Sequence, residues 1–92
     1  MSEGKRIHIL YLRLRRYWGW ARYKNNNIEL DISLKGKKHL EILLHELIHI
    51  RNPDKTEKEV IEDAIIFVNT IWHDGYRKVD NSNDIPMQDG TL

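Results

Sequence analysis

Residues 28–51 read IELDISLKGKKHLEILLHELIHIR, and the spacing of the hydrophobic residues changes within this stretch. From Ile28 to Leu34 apolar and polar side chains alternate, which is typical of a strand with one buried face. Beyond Gly36 the apolar residues fall at helical spacing, so we predict an amphipathic helix over about residues 38–51. The change of period predicts an α+β fold.

A second helix is predicted directly downstream. Asn52-Pro53 ends the first helix, because the residue before a proline is pushed out of the helical region. Thr56 and Glu59 have the spacing of a capping box, which predicts a helix over about residues 57–73. Its predicted core face consists of Val60, Ile61, Ala64, Phe67, Val68, Ile71 and Trp72.

The N-terminal part is predicted to complete a small, mainly antiparallel sheet over residues 6–34, packed on the two helices. Residues 7–14 carry apolar side chains on both parities, which indicates a strand covered on both faces or an amphipathic helix. Their β-branched and aromatic content favours the strand. Gly19 is predicted to mark a bend, and a second strand is expected over residues 20–24, before a run of asparagines that is typical of a turn.

Length and composition limit the class of protein. The 92 residues are 40% hydrophobic and 32% charged, which is typical of a single soluble domain with one modest core. No apolar run is long enough to span a bilayer, and the first residues lack a signal-peptide pattern, so we expect a cytoplasmic protein without a membrane partner. Because the chain has no cysteine, any metal ligand must be His, Asp or Glu.

Charge is distributed unevenly along the chain. Residues 1–27 carry seven basic side chains and one acidic one, whereas residues 28–92 carry eight basic and thirteen acidic ones. The basic segment is rich in Tyr and Trp, so it could bind nucleic acid by contacting phosphates and stacking bases. The alternative is an ordinary solvated strand face. We assign residues 1–78 to one domain and predict a flexible acidic tail over residues 79–92.

The segment His45-Glu46-Leu47-Ile48-His49 is an H-E-x-x-H motif inside the first predicted helix. Residues four apart lie on the same helix face, so both imidazoles can bind one zinc ion at about 2.0–2.1 Å. Glu46 projects beside that face and can take a proton from water. The histidines are expected to face a cleft or solvent, because the predicted core stripe lies on the other side of the helix, at Leu40, Leu44 and Leu47. The alternative is a pair of ordinary surface histidines.

A catalytic zinc site needs a third protein ligand, and the downstream carboxylates are the candidates. Glu57 is predicted at the centre of the apolar face of the second helix, where a carboxylate requires a partner such as a metal. The alternative explanation is that the helix dipole favours Glu57 at this N-terminus. Glu59 is used by the capping box and Glu62 points away, which leaves Asp63 as the alternative ligand.

The chain from Leu40 to Arg77 resembles a group of small H-E-x-x-H proteins encoded by phages, archaeal viruses and prophages. The shared segments are Leu40-Glu41, the H-E-x-x-H motif, Pro53 to Val60, and Trp72 to Arg77. More distantly, the chain is similar to minimal gluzincin-type and SprT-like zinc metallopeptidases. The resemblance implies a metallopeptidase with an active-site helix, a short edge-stranded sheet and Glu57 as the third ligand. It also implies the host cytoplasm as location if the protein is viral.

The expected function is zinc-dependent hydrolysis of a peptide or protein substrate. His45, His49 and Glu57 would bind Zn²⁺, and Glu46 would act as general base. The oxyanion needs a further donor, for which we select Tyr76, since Gly75 would let it turn back toward the cleft; the other candidates are His73, Arg77 and Tyr23.

Two further expectations concern the surroundings of the zinc site. Asp74 or Glu41 could orient a ligand imidazole. The alternative function is a zinc-stabilised module that binds nucleic acid or protein through the basic N-terminal strand. Structural zinc sites normally have four protein ligands, however, and a fourth is not evident in this sequence. The sequence leaves the oligomeric state open.

Overall fold

The chain changes from strand to helix at Gly36, where its hydrophobic period changes. The computed structural model describes residues 6–79. Its elements are, in chain order, β1 (His8–Leu12), β2 (Gly19–Arg22), β3 (Asn27–Asp31), α1 (Gly36–Arg51) and α2 (Glu57–His73). The predicted α+β class is confirmed, and α2 has the predicted bounds. The predicted acidic tail lies, from position 80 onward, outside the described residues.

The three strands form one sheet in the order β1-β3-β2. β2 and β3 are an antiparallel pair joined by a tight turn, in which Asn26 adopts a φ of 54°. β1 pairs with β3 in parallel, because the chain crosses to the far edge before it returns through the hairpin. The sheet is therefore mixed, and the expected antiparallel pairing applies to β2 and β3.

Strand β3 ends at Asp31, earlier than the alternating pattern predicts. The Asp31 carboxylate accepts hydrogen bonds from the backbone N–H groups of Leu14 (2.7 Å) and Ser33 (3.0 Å), and from the Ser33 hydroxyl. These bonds, that of the Ser33 hydroxyl first, lower the pKa of Asp31 below its ordinary value. The resulting turn leaves Ile32 60% exposed and returns Leu34 to the interior.

Helix α1 lies between the sheet and α2. It contacts β2, β3 and α2, whereas α2 packs on α1 alone among the described elements. For this reason Ile61 and Phe67, which were predicted in the core, are 43% and 46% exposed. The best buried apolar side chains are Ile28, Leu30, Val60, Ala64 and Val68.

The buried residues of α1 are not those of the predicted core stripe. Leu40, Leu44 and Leu47 are only half-buried, because α2 and the sheet cover α1 from different sides. The buried residues of this helix are His39, Glu46 and Ile48. Within residues 6–79, neither helix has the length and apolar character needed to cross a membrane.

Candidate metal centre

The structure brings the three predicted metal ligands together. His45 and His49 lie in the last turns of α1, and Glu57 is the first residue of α2. Both imidazole Nε2 atoms point at the Glu57 carboxylate, at 3.1 Å from His45 to Oε2 and 2.8 Å from His49 to Oε1. The two Nε2 atoms are 3.2 Å apart. No other group of this kind occurs within residues 6–79.

These separations fit three corners of a metal coordination shell. Ligands at about 2.0–2.1 Å from a tetrahedral ion lie about 3.3 Å from one another. The His45–His49 separation of 3.2 Å is close to this value, and the carboxylate contacts are slightly shorter. Burial lowers the pKa of His45 and so favours the neutral imidazole that a metal requires. The group is therefore suited to holding a metal ion.

The start of α2 fixes the position of Glu57. The Thr56 hydroxyl accepts from the Glu59 N–H, and the Glu59 carboxylate accepts from the Thr56 N–H, which confirms the predicted capping box. Glu57 itself is not in the apolar core, because its side chain is 62% exposed and reaches the histidines from outside. Asp63, the alternative ligand, instead pairs with Lys55 at 2.9 Å.

Glu46 lies beside the histidines on the buried side of α1. Its exposed fraction is 8%, and none of the hydrogen bonds or ion pairs within residues 6–79 involves its carboxylate. Burial raises the pKa of Glu46, and the nearby charge of Glu57 acts in the same direction, whereas His49 opposes it. A buried carboxylate without a protein partner is available for a proton transfer.

Gly19 allows β2 to approach α1 closely enough to bury Glu46. A Cβ atom at Gly19 would lie 2.9 Å from Cγ2 of Ile42, 3.0 Å from Cγ of Glu46 and 3.1 Å from its Oε2. Any other residue at this position therefore displaces one of the two side chains. The sequence indicated only a bend at Gly19, since nothing local shows which helix passes over it.

The metal ligands and Glu46 open into a cleft of about 340 Å³ bordered by β2. Within the described part of the chain, β2 pairs with β3 on one side only, so its other side is a free sheet edge. Residues of both parities line the cleft, which means that β2 presents its backbone edge to it. The lining residues from this part of the chain are Tyr17, Gly19, Trp20, Ala21 and Tyr23.

Tyr76, predicted as the oxyanion donor, is not brought to this cleft. It is 69% exposed and lines a separate pocket at the N-terminal end of α1, together with His39 and Trp72. Arg77 lies in the same pocket, with its guanidinium 3.6 Å from the centre of the Trp72 ring. The residues after Gly75 therefore fold toward the start of α1, away from the metal ligands at its end.

The remaining candidate residues lie in different parts of the structure. Of the four candidate oxyanion donors, Tyr23 lines the metal cleft. Tyr17 lines it as well and stacks on Trp20 at a ring distance of 5.0 Å, a position that no local sequence pattern indicates. Glu41 acts on His45 through its charge, and Asp74 caps the C-terminus of α2.

Comparisons with known proteins add no relative to this description. No protein-family model matches the chain, and no curated protein or solved structure is significantly similar to it. The functional interpretation therefore depends on the geometry of the site.

Proposed function

We propose that the protein is a zinc-dependent metallopeptidase. The observation that carries this proposal is the convergence of the His45, His49 and Glu57 ligand atoms at distances suited to one ion, directly beside the buried carboxylate of Glu46. A structural metal site would have no use for Glu46, whereas a hydrolytic site needs such a group.

Zinc is the ion that best suits this donor set. Two imidazoles and one carboxylate are a frequent ligand set of catalytic zinc, which keeps a fourth position open. Structural zinc sites are normally closed by four protein ligands, but the cluster within residues 6–79 has three. When bound, zinc supplies Lewis-acid chemistry, in that it activates water near neutral pH and polarises a carbonyl group.

Glu46 is proposed as the group that moves the proton. Its carboxylate would accept a proton from the attacking water and deliver it to the nitrogen of the leaving amine. Its burial supports this role, because a raised pKa brings the carboxyl group closer to the working pH. Gly19 holds the carboxylate in place by leaving no room between β2 and α1.

The free edge of β2 supports an extended peptide as the substrate. A peptide can add to an exposed sheet edge as a further strand, held by main-chain hydrogen bonds that do not depend on its side chains. Such a strand would run through the cleft that contains Glu46 and the ligand group. Tyr17 and Tyr23 line the same cleft, and their hydroxyl groups are the proposed donors to the oxyanion.

The test is a peptidase assay on protein of measured zinc content. Glu46→Gln should keep the zinc and lose about 10²–10⁴-fold in cleavage rate, because the amide retains the shape but cannot accept a proton. Glu62→Gln is the matched control, because it makes the same change at an exposed carboxylate of α2 that is not one of the three ligands. Equal cleavage by wild type and Glu46→Gln would contradict the proposal.

A second activity, nucleic-acid binding, is proposed from a specific surface. The segment that connects β1 to β2 lines a pocket of about 380 Å³ with Arg15, Arg16, Tyr17 and Trp18, and Asp31 lines it as well. Trp18 is 49% exposed. Arginine charges beside an exposed indole suit a single-stranded phosphate backbone with stacking bases. Binding of a labelled oligonucleotide should weaken steeply with salt and be lost in Arg15→Glu/Arg16→Glu. Absence of binding at low salt would contradict it.

A further inference from the structure

Strand β1 exposes apolar side chains on both of its faces. Ile9, Leu10, Tyr11 and Leu12 are between 38% and 43% exposed. A strand with apolar residues on both parities normally has both faces covered. In the part of the chain that the structure describes, α1 instead packs mainly on β2 and β3 and contacts β1 through Tyr11, whose hydroxyl is hydrogen-bonded to Nε2 of His39 (2.8 Å). The sequence pattern of β1 and its surroundings therefore disagree.

Among residues 6–79, no strand pairs with the outer edge of β1. The His8 N–H donates to the Asn26 carbonyl (3.2 Å), and the Leu12 carbonyl accepts from the Ile32 N–H (2.8 Å). Successive residues of a strand direct their backbone groups to alternate sides, so His8, Leu10 and Leu12 face β3. The N–H and C=O groups of Ile9 and Tyr11 consequently face the free edge.

The edge of β1 carries none of the features that prevent strand pairing. Exposed edge strands are usually protected by charged residues, proline or a bulge. Residues 8–12 contain no acidic residue, lysine, arginine or proline. The opposite edge of the sheet, β2, borders the metal cleft and ends in Arg22. β1 is therefore the edge at which another strand can pair stably.

We propose that β1 pairs with β1 of a second copy of this chain, antiparallel across a twofold axis at Leu10. In this register Ile9 lies opposite Tyr11 of the second copy, and the two residues exchange both of their outward hydrogen bonds. Leu10 lies opposite Leu10 of the second copy, and His8 lies opposite Leu12. This arrangement pairs all five residues of the strand.

The register is complementary in side-chain type. It opposes a β-branched residue to an aromatic one and leucine to leucine, which are favourable cross-strand pairs. It places Arg13 opposite Ile7, so that no two basic side chains lie directly opposite each other over residues 7–13. Complementarity of this kind favours a second copy over an unrelated strand.

The resulting dimer would be compatible with an active site in each copy. Its sheet would have the order β2-β3-β1-β1-β3-β2, and six strands is a common size. Both α1 helices would lie on the same face, since odd-numbered residues oppose odd-numbered ones. The two metal clefts would lie at the outer edges of the sheet, away from the twofold axis.

Site-specific cross-linking tests the register, because the chain has no cysteine of its own. Opposed Leu10 residues form a non-hydrogen-bonded pair with a Cα separation of about 4.5 Å, which a disulfide can bridge. Leu10→Cys should therefore give a covalent dimer on mild oxidation. Leu12→Cys is the matched control, equally exposed at 43%, and its copies would lie about 13 Å apart.

A mixture of His8→Cys and Leu12→Cys should form the crossed heterodimer, because these two positions oppose each other. Equal cross-linking of Leu10→Cys and Leu12→Cys would overturn the proposed register. The absence of any Leu10→Cys dimer would overturn the pairing itself.

Sedimentation equilibrium tests the association without a cross-link. Wild type should show a concentration-dependent monomer–dimer equilibrium. Ile9→Pro removes an N–H that faces the free edge, and Leu10→Lys places two ammonium groups opposite each other, so both variants should be monomeric. Circular dichroism and zinc content should stay at wild-type values. A wild type that is monomeric up to millimolar concentration would overturn the proposal, whether its edge is covered by residues 80–92 or by another protein.

Discussion

Gly19→Ala should separate the position of Glu46 from the binding of the metal. The added Cβ would meet Cγ2 of Ile42 at 2.9 Å and Cγ of Glu46 at 3.0 Å. Relief to an ordinary contact requires a shift of about half an ångström between β2 and α1. The backbone at Gly19 has no positive φ, so the contact alone determines the effect.

The expected magnitude follows from these contacts. Overpacking of a tight site costs about 1–3 kcal/mol, and the lower chain entropy of alanine in the unfolded state offsets about 0.4–1 kcal/mol of it. We therefore expect a net loss of about 1–2 kcal/mol in the free energy of unfolding. Displacement of a catalytic group by 1 Å can cost about 10²-fold in rate, so a smaller shift of Glu46 should reduce kcat about 10-fold or more.

Urea denaturation, zinc content and peptide cleavage should be measured on the same preparation of Gly19→Ala. The zinc content should be unchanged, since the atoms nearest to the added Cβ belong to Ile42 and Glu46 and not to a ligand. Gly19→Ala/Ile42→Ala is the control that removes the contact with Ile42 but keeps the contact with Glu46. It should therefore relieve the overpacking without restoring full activity. Unchanged kcat in Gly19→Ala would refute the assigned position of Glu46.

Three further variants test individual contacts. Tyr23→Phe should lower kcat by about 10-fold or more and Tyr76→Phe should leave it unchanged, because of these two residues Tyr23 lines the metal cleft. Steady-state kinetics of both variants would show the reverse if Tyr76 were the donor to the oxyanion. Asp31→Asn should destabilise the fold at neutral pH. Because the folded-state pKa of Asp31 is lowered, its contribution is present above the unfolded pKa of about 3.9 and is lost as pH falls through the folded value, so the stability difference in urea should shrink in acid. Thr56→Ala should lower the free energy of unfolding by about 1 kcal/mol and weaken zinc binding, because it removes the cap next to Glu57. Thr56→Ser should keep the stability and the zinc affinity of the wild type, as measured by denaturation and by competition with a chelator.

The parts of the structure that local spacing determines could be predicted from the sequence. The i and i+4 histidines, the capping box at Thr56 and the helix bounds all depend on residues a few positions apart. Glu57 was selected for a partly wrong reason, because it is exposed at the mouth of the site and not inside the apolar face. Glu57 nevertheless reaches the two histidines, because it directly follows the N-cap residue of α2.

The features that depend on distant parts of the chain could not be predicted. The parallel pairing of β1 with β3 and the role of Gly19 require knowledge of the strand order. Strand β3 ends at Asp31 because its carboxylate binds the N–H of Leu14, which is far away in the sequence. Tyr76 was misplaced because glycine permits a turn without setting its direction.

A crystal of the protein grown with zinc, with diffraction data collected at the zinc absorption edge, tests the central claim most directly. We expect one anomalous peak about 2.0–2.2 Å from Nε2 of His45, Nε2 of His49 and a carboxylate oxygen of Glu57, with the fourth position open toward Glu46. A peak elsewhere, a fourth protein ligand, or Glu46 bound directly to the ion would contradict a catalytic zinc site in this cleft.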